Sequence, residues 1–440
     1  MKSIFYTVSL TLLLFGPLAY GQDQMLTKEE AIQMVLENNL DIQVARNIKL
    51  IDDNNADILN SGYLPSVTGN ASGSIDKQNS EAIIRGEPLA ADGVENRRYN
   101  AAVNVNYTLF DGLGRYYNYK SFKERSQQSE LEVRQTIENT ILQLFTVYYE
   151  AARLTENTAT LEQALKISKD RLKRAQYQFE FGQNTGLDVL NAEVDINTDS
   201  INLLNSRQQL RNTMRDLNLI LNRDLSAQFS ADTIINFVPE LRMEGMYNEA
   251  KLNNVRLQIV EKDLNMGLND IRIARSGFLP TIGLTGTYGW NESNNANPNS
   301  FASFNTSNGV TGTVNLTWNL FDGGSTITGI KNAKIAYKNQ EIAKKQIKLE
   351  VERDIRNAWD SYTNALYVLE VQEKNLQTNQ NNFNRTDERY KLGQVTSIEF
   401  RQAQLNLLNA ELAKSQAKYN AKLAELQMLQ ISGQLLNVDF

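Results

Sequence analysis

Residues 174–197 read RAQYQFEFGQNTGLDVLNAEVDIN, and residues 385–411 read RTDERYKLGQVTSIEFRQAQLNLLNAE. Arg174 aligns with Arg385, Gly182 with Gly393, Gln183 with Gln394, Thr185 with Thr396, Asp188 with Glu399 and Ala192 with Ala403, all at one separation. In each copy a helix runs into a Gly-Gln turn, and a second helix leaves it with an acidic residue near its start. A unit used twice restricts the fold to two similar halves of one body. That overrides the prior of about three domains which a length of 440 residues would give.

The rest of the chain repeats in the same order. Ser61-Gly62-Tyr63-Leu64-Pro65 returns as Ser276-Gly277-Phe278-Leu279-Pro280, Asn38-Asn39 as Asn253-Asn254, and Leu109-Phe110-Asp111-Gly112 as Leu320-Phe321-Asp322-Gly323. Thr27, with Glu30 three residues on, forms a capping box. It opens a helix whose pattern runs through Asn38-Asn39 to about Leu59. From Tyr63 the apolar period falls to two, which predicts a strand. A charged loop is expected over 76–98. A second strand follows, with Tyr99, Ala101, Val103, Val105, Tyr107 and Leu109 on one face and Asn100, Asn104, Asn106 and Thr108 on the other. The second half repeats the pair around an Asn/Ser-rich loop at 291–308, so the hairpins fall at 63–109 and 278–320. Each is followed by a proline-free tract rich in Gln, Glu, Lys, Leu and Ala, long enough for a helix of roughly 100 Å. Each tract turns back at Gly-Gln, giving helical hairpins over 112–221 and 323–431 with coiled-coil spacing between neighbours. The halves are 22–221 and 246–440, and 222–245, which holds Pro239, connects them.

Composition removes most chemistry. There is no cysteine and no histidine. Disulfides, thiolate nucleophiles, Cys/His metal sites and Ser-His relays are therefore excluded, and no metal or cofactor set is expected. No Gly-rich phosphate loop precedes a helix, and no Lys/Arg block points to nucleic acid. An enzyme is not expected. Residues 1–21 read as a cleaved export signal, with Lys2, an apolar run and a small-x-small site at Ala19-Tyr20-Gly21. No cysteine stands there to carry a lipid.

Alternation alone does not separate a soluble sheet from a membrane barrel, but three details favour the barrel. Tyr99, Tyr107, Tyr288, Trp290 and Trp318 would form an aromatic girdle against lipid. The strands are about as long as a bilayer crossing requires. The opposite face is polar and uncharged, as a wet lumen needs. Four strands cannot close a membrane barrel, and open edges in lipid leave backbone groups unpaired at several kcal/mol each. The barrel is therefore shared between two chains or more. The long helices are too polar for lipid and must extend into water, so the assembly reads as a tube. The competing reading is an exported coiled-coil scaffold or adhesin with a β cap and no pore.

With both repeats in view, the sequence resembles the TolC family of outer-membrane efflux channels. The resemblance rests on the opening at residues 26–31, the paired Asn-Asn, Ser-Gly-aromatic-Leu-Pro and Leu-Phe-Asp-Gly phrases, and the two Gly-x5-acid turns. It implies a mainly α fold with a membrane β part: a homotrimer with a twelve-stranded barrel and a helical tunnel in the periplasm. It also implies an adaptor protein and an inner-membrane pump as partners, with the channel set in outer-membrane lipid. The adaptor would dock at the helix-turn tips, Gly182, Gln183, Asn184 and Thr185 with Gly393, Gln394, Val395 and Thr396. Asp188 and Glu399 would form acidic rings inside the entrance, where like charge in a narrow tube favours cations. As first-turn residues they are equally suited to the helix dipole. Tyr390 matches a gate tyrosine. Val395 stands where the family has a gate arginine and Gln402 where it has a second acid, so closure is expected to rest on helix packing and Tyr390. The cargo is not written in any residue.

Overall fold

The structure is a computed structural model and describes residues 25–438 apart from 85, 240, 298, 299 and 301. The leader expected over 1–21 lies outside the described residues. In chain order the elements are β1 (Met25–Leu26), α1 (Lys28–Asn38), α2 (Leu40–Asn55), β2 (Ser66–Ile84), β3 (Glu87–Asp111), α3 (Gly114–Glu180), α4 (Gly186–Ile220), β4 (Ser230–Ala231), α5 (Met243–Asn253), α6 (Val255–Ser276), β5 (Thr281–Asn295), β6 (Phe304–Thr317), α7 (Ser325–Lys391) and α8 (Ser397–Ile431). The α1–α4 half therefore reappears as α5–α8, each with its β-hairpin.

The first helix breaks where an unbroken one was expected. Asn39 adopts an extended backbone, and its Oδ1 accepts from Asp41 N and Ile42 N, which starts α2 afresh. Its Nδ2 donates to the carbonyl of Ile220 at 2.9 Å, at the end of α4. Asn254 does the same between α5 and α6 and donates to the carbonyl of Ile431 at 2.8 Å. The repeated Asn-Asn phrase is thus a cap combined with a tie to the returning helix. It satisfies backbone groups that both helix ends would otherwise leave open.

The four long strands form one antiparallel sheet in the order β2-β3-β5-β6. Ladder pairing continues through much of the expected charged loop: β2 and β3 stay paired from Ser66 opposite Asn106 to Ile84 opposite Glu87. The loop expected at 291–308 shrinks in the same way, since β5 reaches Asn295 and β6 starts at Phe304. Backbone pairing does not require apolar alternation, so charged residues extend a strand once it stands in water. Pairing with β5 stops at Asn96 opposite Asn295, and beyond it β2 and β3 continue as a two-stranded arm.

α3 and α7 are 67-residue helices, each folded back on a 35-residue partner, α4 or α8. The main core lies midway along this body. Phe145, Tyr148, Tyr149, Tyr419, Leu426 and Met428 pack there with Ala31, Val35 and Ile42. The connector crosses this level as a strap. β4 pairs with β1, Tyr148 Oη accepts from Asp232 N and donates to Leu26 O, and Lys422 Nζ donates to Asn236 O. Burial pushes the Tyr148 hydroxyl up to about 12. Among the described residues no helix is long and apolar enough to cross a membrane.

Candidate functional site: barrel wall and tunnel mouth

The register decides which residues share a face. Val67, Ile75, Tyr99, Val103, Val105 and Tyr107 align across the ladder with Leu284, Tyr288 and Trp290, and these with Val310, Val314 and Leu316. Most are exposed in the single chain, as a lipid-facing surface would be. The other face is Ser, Thr and Asn, cross-linked by bonds such as Thr287 Oγ1 to Asn104 Oδ1 at 2.9 Å. Tyr99 and Trp290 stand towards the arm end, and Tyr107 towards the helix end. Tyr288 sits mid-strand opposite Val103. Trp318 lies one residue beyond β6, with its indole donating to Phe278 O at 3.1 Å. Charge begins abruptly at Asp76, Arg98 and Glu292 on one side and at Asp111 on the other, which bounds an uncharged band of the height a bilayer core takes.

At the far end of the helices the two turns are built alike. Gly182 (φ +66°) and Gly393 (φ +72°) take the left-handed conformation that lets each helix stop. Gln183 N then donates to Gln178 O at 2.7 Å, and Gln394 N to Arg389 O at 2.9 Å. The tip residues are exposed apart from half-buried Asn184 and Val395. Thr396 and Glu399 form a full capping box, with Thr396 N donating to Glu399 Oε2 at 2.7 Å and Glu399 N to Thr396 Oγ1 at 3.2 Å. Those Thr396 donors hold the Glu399 carboxyl below its ordinary range. Asp188 makes one link, from Thr185 Oγ1 at 3.0 Å.

Tyr390 is buried in the seam between the two helical hairpins. Its ring stacks on Phe400 with centroids 4.6 Å apart, and the Arg174 guanidinium lies 5.2 Å from its centroid. Its hydroxyl has no partner among the described residues. Sequence reasoning missed what lies above it. Arg401 of α8 grips both carboxylate oxygens of Asp199 on α4, Nη1 at 2.9 Å and Nη2 at 2.8 Å. Ser168 Oγ donates to Asp199 at 2.6 Å. Asp195 holds Arg171 and lies 3.4 Å from Arg401 Nε, and Gln404 Nε2 donates to Ala164 O at 2.9 Å. The available signal was charge in core phase: Asp199 falls one heptad after Ala192 and four residues before Leu203, both buried.

The body is unfinished at both ends. β2 and β6 are unpaired edges of the sheet. Near the mouth, helix packing runs α4–α3–α8–α7, and higher up α2–α3–α6–α7. The edge helices expose apolar rows: Leu187, Leu190, Val194, Ile201 and Leu204 on α4, Val44, Ile48 and Ile51 on α2, and Ile335, Ile342 and Leu349 on α7. Rows at heptad spacing want helical partners.

A partial barrel wall continued by a strip of long helices, each with open edges, is a subunit of an outer-membrane channel. The chain belongs to the outer membrane efflux protein family, whose profile matches residues 31–223 and 246–434. It is similar to the outer membrane efflux protein BepC of Brucella suis, at 22% identity over 431 residues, 97% of this chain and 90% of that protein. It is also similar to TolC of Escherichia coli, at 20% identity over 358 residues, 79% of this chain and 72% of that one. In fold it matches the Campylobacter jejuni CmeC outer membrane channel, with TM-score 0.78, 17% identity, and 99% of this chain covering 93% of that one. It also matches the open state of the Neisseria gonorrhoeae MtrE outer membrane channel, with TM-score 0.72, 17% identity, and 93% covering 89%. This is an outer-membrane efflux channel, not a poreless scaffold.

Proposed function

We propose that three copies of this chain close a twelve-stranded barrel in the outer membrane and a helical tunnel in the periplasm, forming the exit duct of a tripartite export machine. One observation carries the reading: sheet and helical strip end in unpaired edges at the same sides, so one closing operation completes both. Backbone groups left open in lipid are too costly to persist, and a ring of copies removes every edge. The polar sheet face then lines the lumen, while on the opposite face Tyr99, Tyr107, Trp290 and Trp318 meet lipid headgroups and mid-strand Tyr288 meets the acyl chains. A leader at 1–21 exports the chain without a lipid anchor, with repeats at 22–221 and 246–440 and a connector at 222–245.

The Gly-Gln tips at 182–185 and 393–396 meet a periplasmic adaptor, which couples the duct to an inner-membrane pump. Asp188 and Glu399 ring the entrance and favour cations. The capping role of Glu399 is compatible with this, because a capped carboxylate stays ionised. Tyr390 acts in closure by packing between hairpins. No residue takes a catalytic role.

Outer-membrane fractions should yield heat-resistant trimers that conduct in planar bilayers. An elongated monomer recovered from detergent-free buffer would defeat the reading.

A further inference from the structure

Just below the barrel, the helices carry cations on the face turned away from the bore. We propose that this collar binds the anionic headgroups of phospholipids in the periplasmic leaflet of the outer membrane, and so fixes the depth at which the channel sits. The proposal rests on the membrane barrel proposed above.

The lower half of α3 shows which of its faces is the outer one. Ile137 and Ile141 stand beneath α1 and residues 435–438, where they line a shared hollow with Ile32, Leu36, Leu436 and Val438. A second layer inside a duct would block it, so this layer lies outside. Lys123 stands two heptads above Ile137 on that face, and Tyr116 one heptad above Lys123. In the second half of the chain Ile327, Lys331 and Lys334 are the repeat counterparts of Tyr116, Lys120 and Lys123.

The spacing down this face matches a bilayer edge. Tyr116 and Ile327, both exposed, end the apolar band in the first turn of α3 and of α7. Lys120 and Lys331 follow four residues on, and Lys123 and Lys334 seven residues on. Those steps place the lysines about 6 and 10 Å lower along the helix. The headgroup layer outside a hydrocarbon core is about 5–8 Å deep, within reach of a lysine chain that extends upward. Lys120 Nζ lies 4.9 Å from the centre of the Tyr116 ring, and Lys123 Nζ 5.2 Å from that of Tyr119. Aromatic rings beside cations suit such an interface. Arg275 adds a charge in the last turn of α6.

The carboxylates nearby are engaged elsewhere. Asp111 holds Arg115, Glu124 holds Lys262 and Asp53 holds Lys49. Asp57 accepts from Leu59 N, and Asp322 caps α7 through Gly324 N and Thr326 N. From Ser325 to Gln340 α7 has no acidic residue. A free phosphate would ask for cations converging on one pocket. These are spread over three helices near one depth, which fits a surface of headgroups.

Purified channels are reconstituted in phosphatidylcholine vesicles with a trace of spin-labelled phosphatidylglycerol or phosphatidylcholine, and the motionally restricted fraction gives the association of each. The wild type should hold phosphatidylglycerol about threefold better or more. Replacing Lys120, Lys123, Lys331 and Lys334 together by Gln should bring the ratio close to unity, while Arg at the same positions should keep it. Lys345→Gln with Lys348→Gln, lower on α7, should leave it unchanged. Equal association in the wild type, an unchanged ratio in the four-fold Gln variant, or an equal fall with the lower pair overturns the proposal. So does loss of the wild-type ratio on adding inorganic phosphate at constant ionic strength, since the cations would then take a soluble anion instead of a bilayer. If the Gln variant does not assemble, the wild type is titrated with sodium chloride. Its ratio should fall as the charges are screened, and a salt-independent ratio overturns the proposal. A chain that stays out of the vesicles altogether overturns the barrel itself.

Discussion

Asn39→Ala tests whether the repeated Asn-Asn phrase does what its geometry implies. The side chain accepts from Asp41 N at 3.0 Å and Ile42 N at 3.2 Å, and donates to Ile220 O at 2.9 Å. Alanine removes the N-cap, at about 1 kcal/mol. It also leaves the carbonyl of Ile220 without its donor in a buried setting, at about 1–3 kcal/mol. The sum, about 2–4 kcal/mol, corresponds to roughly 30- to 700-fold in an opening equilibrium. Asn254 is an internal control. It accepts one longer bond, from Leu257 N at 3.3 Å, while its donated bond to Ile431 O is 2.8 Å. Asn254→Ala should therefore cost less by about 0.5 kcal/mol, the cap being weaker there. Asn39→Asp keeps the acceptor for the α2 amides but sets an oxygen against the Ile220 carbonyl, so it should recover only part of the loss. Hydrogen exchange of the assembled protein, followed on the first turn of α2 and the last turn of α4, reads these openings. If the Asn39→Ala amides exchange at the wild-type rate, or if Asn39→Asp matches wild type at α4, the cap-and-tie account is wrong.

Gly112→Ala and Gly323→Ala should differ although the two occupy matching positions. Both glycines have positive φ, but a Cβ at Gly112 would stand 2.6 Å from Ser276 O, while nothing lies within 4 Å of one at Gly323. The first should cost about 2 kcal/mol or more and the second about 1, and equal thermal midpoints would contradict the geometry. Replacing Asp188 and Glu399 together by Ala should lower cation preference in planar bilayers; unchanged selectivity and unchanged divalent block discard the acidic rings. Because the Glu399 carboxyl is held below its ordinary range, its capping stability is present above the unfolded value and lost as pH falls through the lowered folded one. Cation preference should accordingly persist to lower pH in wild type than in Thr396→Ala, read as reversal potential against pH. Gly182→Val or Gly393→Val strains a left-handed turn in open space, and should weaken adaptor capture while trimers still form; full capture would remove the tips as the docking site.

The large design was legible because it follows from periodicities that act locally. Period two with a polar partner face marked both hairpins, proline-free heptad tracts marked α3 and α7, and left-handed glycines marked the turns. Duplication confirmed each reading through its copy. Sequence alone also required company for the chain, since four strands cannot close. Other features could come only from the fold, because they depend on what lies across a gap. Residues 76–98 looked like a charged loop, yet the opposing strand pairs most of their backbone and makes an arm. Asn39 looked like one more helical residue until the Ile220 carbonyl stood opposite it. Tyr390 carried a gate label from resemblance, and packing put it between hairpins. Arg401 and Asp199 stand on separate helices, α8 and α4, with nothing local to pair them. Only when α8 lies against α3 and α4 do they meet out of water, because a charge enters a core only where a partner distant in sequence has already been brought to it.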